Sequence, residues 1–207
     1  KLLVAVGYDS RISAPALCDG AVKGITLSGH DALVTGLSTT PSMFMLLKDE
    51  RIAQNERPDG SLMITASHLP FNRNGLKFFS EKGGLESEDV KEILTMAAEI
   101  TFEKGATGKT TCRSYLDDYA QSLVEIVRKA CGENQPLQGK RILVDAGNGA
   151  GGFYADKVLA PLGADVTGSQ FLEPDGNFPN HIPNPENKEA MESVCAAVKA
   201  ANADFGV

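Results

Sequence analysis

Along the first half of the chain, short apolar runs alternate with stretches whose apolar residues recur at helical spacing. The runs at 2–7, 32–37 and 62–65 predict buried strands, and the stretches at 14–27 and 41–48 predict helices between them. Such β-α-β-α alternation predicts a mixed or parallel sheet flanked by helices. Pro41, preceded by Ser38-Thr39-Thr40, suits the first turn of a helix with a hydroxyl cap before it. Past residue 65 the pattern predicts a loop, a strand at 76–80 and a helix at 88–104, which places that loop between two strands.

Residues 105–111 carry Gly, Thr and Lys without apolar alternation and predict a loop. A helix over 114–130 follows, with Leu116, Tyr119, Leu123, Ile126 and Val127 at helical spacing. The polar stretch 132–139, with Gly at both ends and Pro136 inside, breaks the pattern and sets a domain boundary, giving domains 1–133 and 134–207. The second starts afresh: a strand at 141–145, a Gly-rich turn, a helix at 151–160 and a strand at 164–167. A Pro/Asn-rich loop at 173–185, with Asn184 as a helix cap, then precedes a helix at 186–201 and the start of another strand. Lys1 opens directly on a strand pattern and the last residues begin one, so the expectation is a piece of a longer polypeptide whose two α/β domains are both incomplete.

At 207 residues, 42% hydrophobic and 23% charged, the composition is that of an ordinary globular protein. Apolar runs fall far short of a membrane span, and a secretory signal layout is missing, so the expectation is a cytoplasmic chain without a membrane partner. A net charge of −7 argues against nucleic acid as a partner, because phosphate contacts require a concentrated basic surface. The four cysteines are scattered and there are three histidines, which suggests neither a disulfide framework nor a zinc site.

Directly after the apolar run Leu62-Met63-Ile64 comes Thr65-Ala66-Ser67-His68-Leu69-Pro70-Phe71-Asn72-Arg73-Asn74-Gly75-Leu76-Lys77. The run delivers Ser67 to the C-terminal end of a strand, where chemistry commonly sits in open α/β sheets. A serine hydroxyl needs a base or prior modification to take part in group transfer. Attack on phosphorus further needs cationic or donor groups nearby, which His68 and Lys77 can supply. Asn74-Gly75 favours a tight reversal able to bring Lys77 back beside Ser67. On the residues alone a plain reading stands beside this one: Ser67 capping a strand-to-loop turn, and Lys77 a solvated strand residue. His68 either orients the loop or bonds backbone carbonyls.

Three other segments stand out. In Gly7-Tyr8-Asp9-Ser10-Arg11-Ile12-Ser13 a strand end meets a helix cap, and Asp9 and Arg11 can pair across the turn. Asp145-Ala146-Gly147-Asn148-Gly149-Ala150-Gly151-Gly152 follows a strand and opens a helix, a context that can cradle phosphate. It lacks the Lys-Ser/Thr of a P-loop, and close strand-helix packing equally explains its glycines. In Glu173-Pro174-Asp175-Gly176-Asn177-Phe178-Pro179-Asn180-His181-Ile182-Pro183-Asn184-Pro185, Asp175 and His181 are sparse material for a metal site, and the loop reads as structural.

Together these segments resemble the α-D-phosphohexomutases, the family of phosphoglucomutase, phosphomannomutase and phosphoglucosamine mutase. Thr65, Ala66, Ser67, His68, Pro70, Asn74, Gly75 and Lys77 match that family's T-A-S-H-N-P-x-x-x-N-G-x-K loop, with Leu69 where the family has Asn. The other three match its G-x-D-x-R-x-S, D-x-x-N-G-x-G and P-D-G-x-F-P-N-H-x-P-x-P segments, in the family's order. The resemblance implies two successive mixed α/β sandwich domains of the phosphohexomutase type. It implies an isomerase that interconverts hexose 1-phosphate and hexose 6-phosphate through phosphoserine at Ser67 and a hexose 1,6-bisphosphate intermediate. Lys77 would be the general acid/base, an assignment that burial in a desolvated cleft would suit, with His68 beside Ser67 and Arg11, Asn74 and Gly75 supporting the loop. Mg2+ would bind Ser67 through its phosphate, its carboxylate ligands belonging to a family loop that follows Val207. The chain alone is then expected to be inactive; a non-catalytic paralogue that binds sugar phosphate is the alternative, with Leu69 as its sequence support.

Overall fold

Val4, Ala5 and Val6 form an apolar run with a β-branched residue at each end, and it becomes the centre of β1 (Leu3–Tyr8). β2 (Asp31–Leu37) and β3 (Gly60–Ile64) pair with it on either side, both parallel. β4 (Leu76–Ser80) returns antiparallel to β3 and carries the two-residue β5 (Gly83–Gly84), while β6 (Thr110–Cys112) joins β2 in parallel. The six-stranded order is β5-β4-β3-β1-β2-β6, a mixed sheet. The computed structural model describes residues 1–101 and 107–207. They fall into two units: Lys1–Asp9, Ser13–Thr65 and Gly75–Tyr115 in the first, and Ser10–Ile12, Ala66–Asn74 and Leu116–Val207 in the second.

In the first unit α1 (Ala14–Leu27) lays Ala14, Cys18, Ala21, Val22 and Ile25 onto Val6, Leu62 and Ile64. This is the i, i+4, i+7 stripe of an amphipathic helix meeting alternate residues of strands. Burial of each large aliphatic side chain here contributes about 1.5–3 kcal/mol. The other face of the sheet takes α2 (Thr40–Leu46), whose start is fixed by a reciprocal cap: Thr39 Oγ1 accepts from Ser42 N, and Ser42 Oγ accepts from Thr39 N. Ser61 Oγ donates to the Met43 carbonyl at 2.8 Å. Gly7 is required where α2 meets β1, because a Cβ there would lie 2.5 Å from Met43 Sδ and 2.6 Å from the hydroxyls of Thr35 and Ser38. α3 (Ser87–Glu99) begins in a cap between Glu86 and Asp89; the last expected helical residues, 102–104, and Gly105-Ala106 lie outside the described residues.

β6 corrects only the end of the loop expected at 105–111: residues 107–109 are irregular, but Thr110 and Thr111 belong to a strand. Its residues are exposed and lack the apolar alternation that marks a strand, yet their backbone completes the ladder on β2.

In the second unit α4 (Leu116–Cys131) buries Ala120 and Val124 against Val158 and Leu162, with Phe153, Tyr154 and Leu137 packed around them. Packing therefore groups α4 with the elements that follow it. β7 (Ile142–Leu143) and β8 (Phe205–Gly206) form a two-stranded parallel sheet. The strand expected at 141–145 is thus shorter, flanked by single bridges Arg141 to Asp165 and Asp145 to Gln170. The strand expected at 164–167 shrinks to the Asp165 bridge, because Asp165 turns its carboxylate onto Thr167 N and Ser169 N closes a turn on the Val166 carbonyl. The helix expected at 151–160 is a π-helical segment, Ala155–Leu159, followed by a 3-10 turn, Ala160–Leu162, that Gly163 ends at φ 96°. Pro161 lacks the N–H that a regular α-helix would use there. α5 (Lys188–Ala201) is capped by Asn187, whose side chain accepts from Ala190 N at 3.0 Å; the expected cap, Asn184, instead accepts from Glu186 N. Among the described residues no helix is long and apolar enough to cross a membrane.

Candidate active site

The base of the Ser67 loop is pinned where β3 ends. Thr65 N donates to the Gly75 carbonyl at 2.9 Å, Asp9 N donates to the Ile64 carbonyl at 3.1 Å, and Thr65 Oγ1 donates to Asp9 Oδ2 at 2.7 Å. A Cβ at Gly75 would stand 3.1 Å from the Thr65 carbonyl oxygen, so glycine lets the two ends of the loop close. The reversal itself is made elsewhere than the expected Asn74-Gly75 turn. Leu69 N closes one turn on the Ala66 carbonyl and Arg73 N a second on the Pro70 carbonyl. Pro70, with its fixed φ, separates the two.

Arg11 holds the loop from within the second unit. Its side chain is 1% exposed, and its guanidinium donates to four backbone carbonyls: Pro70 at 2.6 Å, Arg73 at 3.0 Å, Ser67 at 2.9 Å and Leu69 at 2.7 Å. A buried cation must be hydrogen-bonded to be tolerated, and the planar fork of N–H groups suits a ring of carbonyls. Ser67 is exposed and sits at φ 56°, the left-handed region that costs a non-glycine residue about 1–3 kcal/mol. The Arg11 bond to its carbonyl is one of the contacts that hold it there.

The Pro/Asn-rich loop at 173–185 closes over Arg11 in the same unit. The Phe178 ring lies 5.4 Å from the guanidinium carbon. A Cβ on Gly176 would be 2.4 Å from the Ser10 carbonyl oxygen and 2.6 Å from Ile12 N, so only glycine allows this approach. Nothing in the spacing of that loop announces the contact with Arg11.

In the Asp145–Gly152 turn the backbone donors of residues 146–149 are engaged. Ala146 N donates to the Gln170 carbonyl, Gly147 N to Asp145 Oδ1, Asn148 N to the Phe171 carbonyl and Gly149 N to the Ala146 carbonyl. Those four N–H groups are spent within the protein and are not available to cradle a phosphate. Its glycines serve packing: a Cβ on Gly152 would fall 1.9 Å from the Leu172 carbonyl oxygen. Asp145 also binds His181, Oδ1 to Nε2 at 2.9 Å, while Gln170 Nε2 and Ser193 Oγ donate to Oδ2. His181 Nδ1 meets the Ile182 carbonyl at 3.0 Å. Burial works to lower the His181 pKa, but the Ile182 carbonyl and the Asp145 carboxylate outweigh it and leave the pKa raised. This pair, too, escaped sequence reasoning, since one carboxylate and one distant imidazole carry no spacing signal.

His68 is exposed at the turn after Ser67. Lys77 is exposed on β4, opposite Met63 of β3, and is not in the desolvated setting expected for it. Asn74 and Gly75 are half-buried at the end of the loop. Among the described residues no group of three or more His, Cys, Asp or Glu could hold a metal ion.

The chain matches the family descriptions phosphoglucomutase/phosphomannomutase alpha/beta/alpha domain I over residues 1–104 and domain II over 115–207. It is 34% identical over 205 residues to a phosphoglucomutase of Neisseria gonorrhoeae, covering 99% of this chain and 42% of that protein. It is 32% identical over 206 residues to a phosphomannomutase/phosphoglucomutase of Pseudomonas putida, covering 99% and 41%. A solved structure of a phosphoglucomutase/phosphomannomutase family protein from Burkholderia thailandensis superposes with TM-score 0.82 at 27% identity, covering 99% of this chain and 43% of that one. The chain thus spans less than half the length of these relatives. With both domain descriptions matched in order and a serine loop anchored on Arg11, the chain belongs to the phosphoglucomutase/phosphomannomutase family.

Proposed function

We propose that this chain supplies the phosphoryl-carrying part of a hexose-phosphate mutase, an isomerase that interconverts hexose 1-phosphate and hexose 6-phosphate. The observation that carries the reading is Ser67: exposed, in left-handed backbone, on a loop fixed from below by a buried arginine. Backbone strain held at an exposed serine points to a functional site. The names of the relatives support the substrate class.

In the proposed cycle phosphorylated Ser67 gives its phosphoryl group to the free hydroxyl of the bound hexose phosphate. The Ser67 Oγ–P bond breaks, a sugar O–P bond forms, and Lys77 relays the hydroxyl proton to Ser67 Oγ, which is released as a free hydroxyl. The resulting hexose 1,6-bisphosphate turns over in the site and returns its other phosphoryl group to Ser67, whose hydroxyl proton passes back through Lys77 to the departing sugar oxygen. His68, next to Ser67 in the chain, supplies a donor to the phosphoryl oxygens, and Asn74 and Gly75 close the loop. Magnesium would neutralise charge on the phosphoryl group; the described residues lack its carboxylates, and no step here depends on it. Leu69 is compatible with this cycle, because its contact with Arg11 is made by its carbonyl and not by the side chain that differs from the family pattern.

The test is intact-mass analysis of the full-length protein after incubation with glucose 1,6-bisphosphate, together with mutase turnover. One added phosphoryl group, lost in Ser67→Ala along with turnover, is the expected result. Undiminished turnover in both Ser67→Ala and Lys77→Ala overturns the mechanism.

A further inference from the structure

We propose that Phe178 is a positioning residue for Ser67, acting through Arg11; the proposal rests on the reading of Ser67 as the phosphoryl carrier. The edge of the Arg11 guanidinium is occupied by the carbonyls of Ser67, Leu69, Pro70 and Arg73, all within 3.0 Å. To hold that group without competing for its N–H donors, a partner must attract the cation without offering a hydrogen-bond acceptor. Phe178 is such a partner: Arg11 Cζ lies over its ring, 5.4 Å from the centroid, so the ring offers a negative π surface to the cation and no acceptor that could draw a donor away.

The protein accepts backbone strain to put the ring there. Phe178 is a bulky residue at φ 49°, a conformation it adopts only when its surroundings enforce it. The enforcing contacts run back through the same unit: Phe178 N donates to the Asp175 carbonyl at 3.0 Å, and Asp175 N to the Asn148 carbonyl at 2.8 Å. Asn148 is itself buried and holds the loop twice more, donating to the Glu173 carbonyl and accepting from Asn180 Nδ2. Gly176, pressed against the backbone of Ser10, Arg11 and Ile12, sets the depth to which the loop docks. The Asp145–Gly152 turn and the 173–185 loop therefore form a brace whose end is the Phe178 ring, and the braced group orients the Ser67 backbone.

The test compares Phe178→Leu and Phe178→Tyr in the full-length protein. Leucine keeps apolar bulk but has no π face, whereas tyrosine keeps both. Two measurements are made: amide hydrogen exchange of residues 67–69 and 71–74, and steady-state kinetics (kcat and KM) with glucose 1-phosphate. In Phe178→Leu we expect loop exchange to rise and kcat to fall by about tenfold, with KM within about twofold, and Phe178→Tyr to restore both to near the parent values. A leucine variant with unchanged loop exchange, or a tyrosine variant as impaired as leucine, overturns the positioning role. Ser67→Ala run in parallel separates the two claims: full turnover in it sinks the phosphoryl-carrier reading, whereas the exchange measurement still reads the brace.

Discussion

The buried Arg11 guanidinium donates at 2.9 Å to the carbonyl of Ser67, so that an interior residue fixes the backbone of an exposed one. Three further carbonyls of the same loop share that side chain, and lysine cannot replace such a fork: its donors diverge from one nitrogen, whereas the four bonds leave two. Arg11→Lys keeps the charge and is expected to lose at least two hydrogen bonds, at a cost of about 2 kcal/mol. Because the loop lies at the surface, water can re-solvate part of what is lost, and the larger effect is loosening of 66–74. Urea unfolding with an unchanged m-value, paired with limited proteolysis of that loop, checks both effects.

Glycines in this chain divide by what surrounds them, and alanine scanning should divide the same way. A Cβ at Gly152 falls 1.9 Å from the Leu172 carbonyl oxygen, a backbone atom that cannot swing aside, whereas one at Gly20 in α1 meets nothing within 4 Å. Gly152→Ala is expected to destabilise by about 2–3 kcal/mol through a forced backbone shift. Gly20→Ala, in an exposed helix interior, is expected to stabilise by about 0.5–1 kcal/mol. Thermal unfolding of the two variants beside the parent decides it; equal signs would contradict the packing described.

The β-α-β-α start was legible because apolar runs and helical spacing alternate cleanly there, and α1 occupies the stretch 14–27 that Ala14, Cys18, Ala21, Val22 and Ile25 mark out. β6 was not, because Thr110–Cys112 is an exposed edge whose ladder is made by the backbone and leaves no apolar side-chain pattern. The irregular helix before Gly163 was hidden too: Pro161 is a breaker by type, but whether a breaker ends a helix or distorts it depends on packing. The Thr65–Lys77 segment was readable as a loop between strands, since its flanks are apolar and its middle holds Pro and Asn. Arg11 was named there as its support, but what braces Arg11 was not readable. Gly176 and Phe178 reach Arg11 across most of the chain, and no local spacing encodes a contact of that range.

Asp49 shows how far a small buried network carries acid resistance. Arg51 donates to it through Nη2 at 2.6 Å and Nε at 2.9 Å, and Tyr115 Oη donates at 2.7 Å. Arg51 foremost, against the opposing pull of burial and with help from Tyr115, holds the Asp49 pKa at about 2. A carboxylate depressed in the folded state stabilises fully above its unfolded value of about 3.9 and loses that contribution as pH falls toward the folded one. Tyr115→Phe removes one donor without changing shape, so it is expected to cost about 1 kcal/mol near neutrality. Its acid unfolding midpoint should also move to higher pH, because Asp49 then titrates closer to its ordinary value. A pH titration of the far-UV signal for both proteins reads that shift, and coincident acid transitions would count against it.

The opposite sign holds for His181. One ring nitrogen faces the Ile182 carbonyl at 3.0 Å and the other the Asp145 carboxylate at 2.9 Å, and both of those oxygens only accept. A neutral imidazole has one N–H and leaves one of the contacts unmade; the imidazolium satisfies both. Burial opposes the charge, but these acceptors prevail and the pKa is raised. A raised histidine contributes stability that is complete below the unfolded value of about 6.5 and is lost as pH climbs through the folded value. The thermal midpoint of the second unit is therefore expected to decline from about pH 6.5 upward. His181→Gln retains a polar side chain but cannot titrate, so it should start lower at pH 6 and stay level through the same window. Gln170 and Ser193 already fill the other Asp145 oxygen, which leaves His181 to carry the slope in this cluster. Differential scanning calorimetry of parent and variant at several pH values reads it directly, and a variant that keeps the parent's slope would place the titrating group elsewhere.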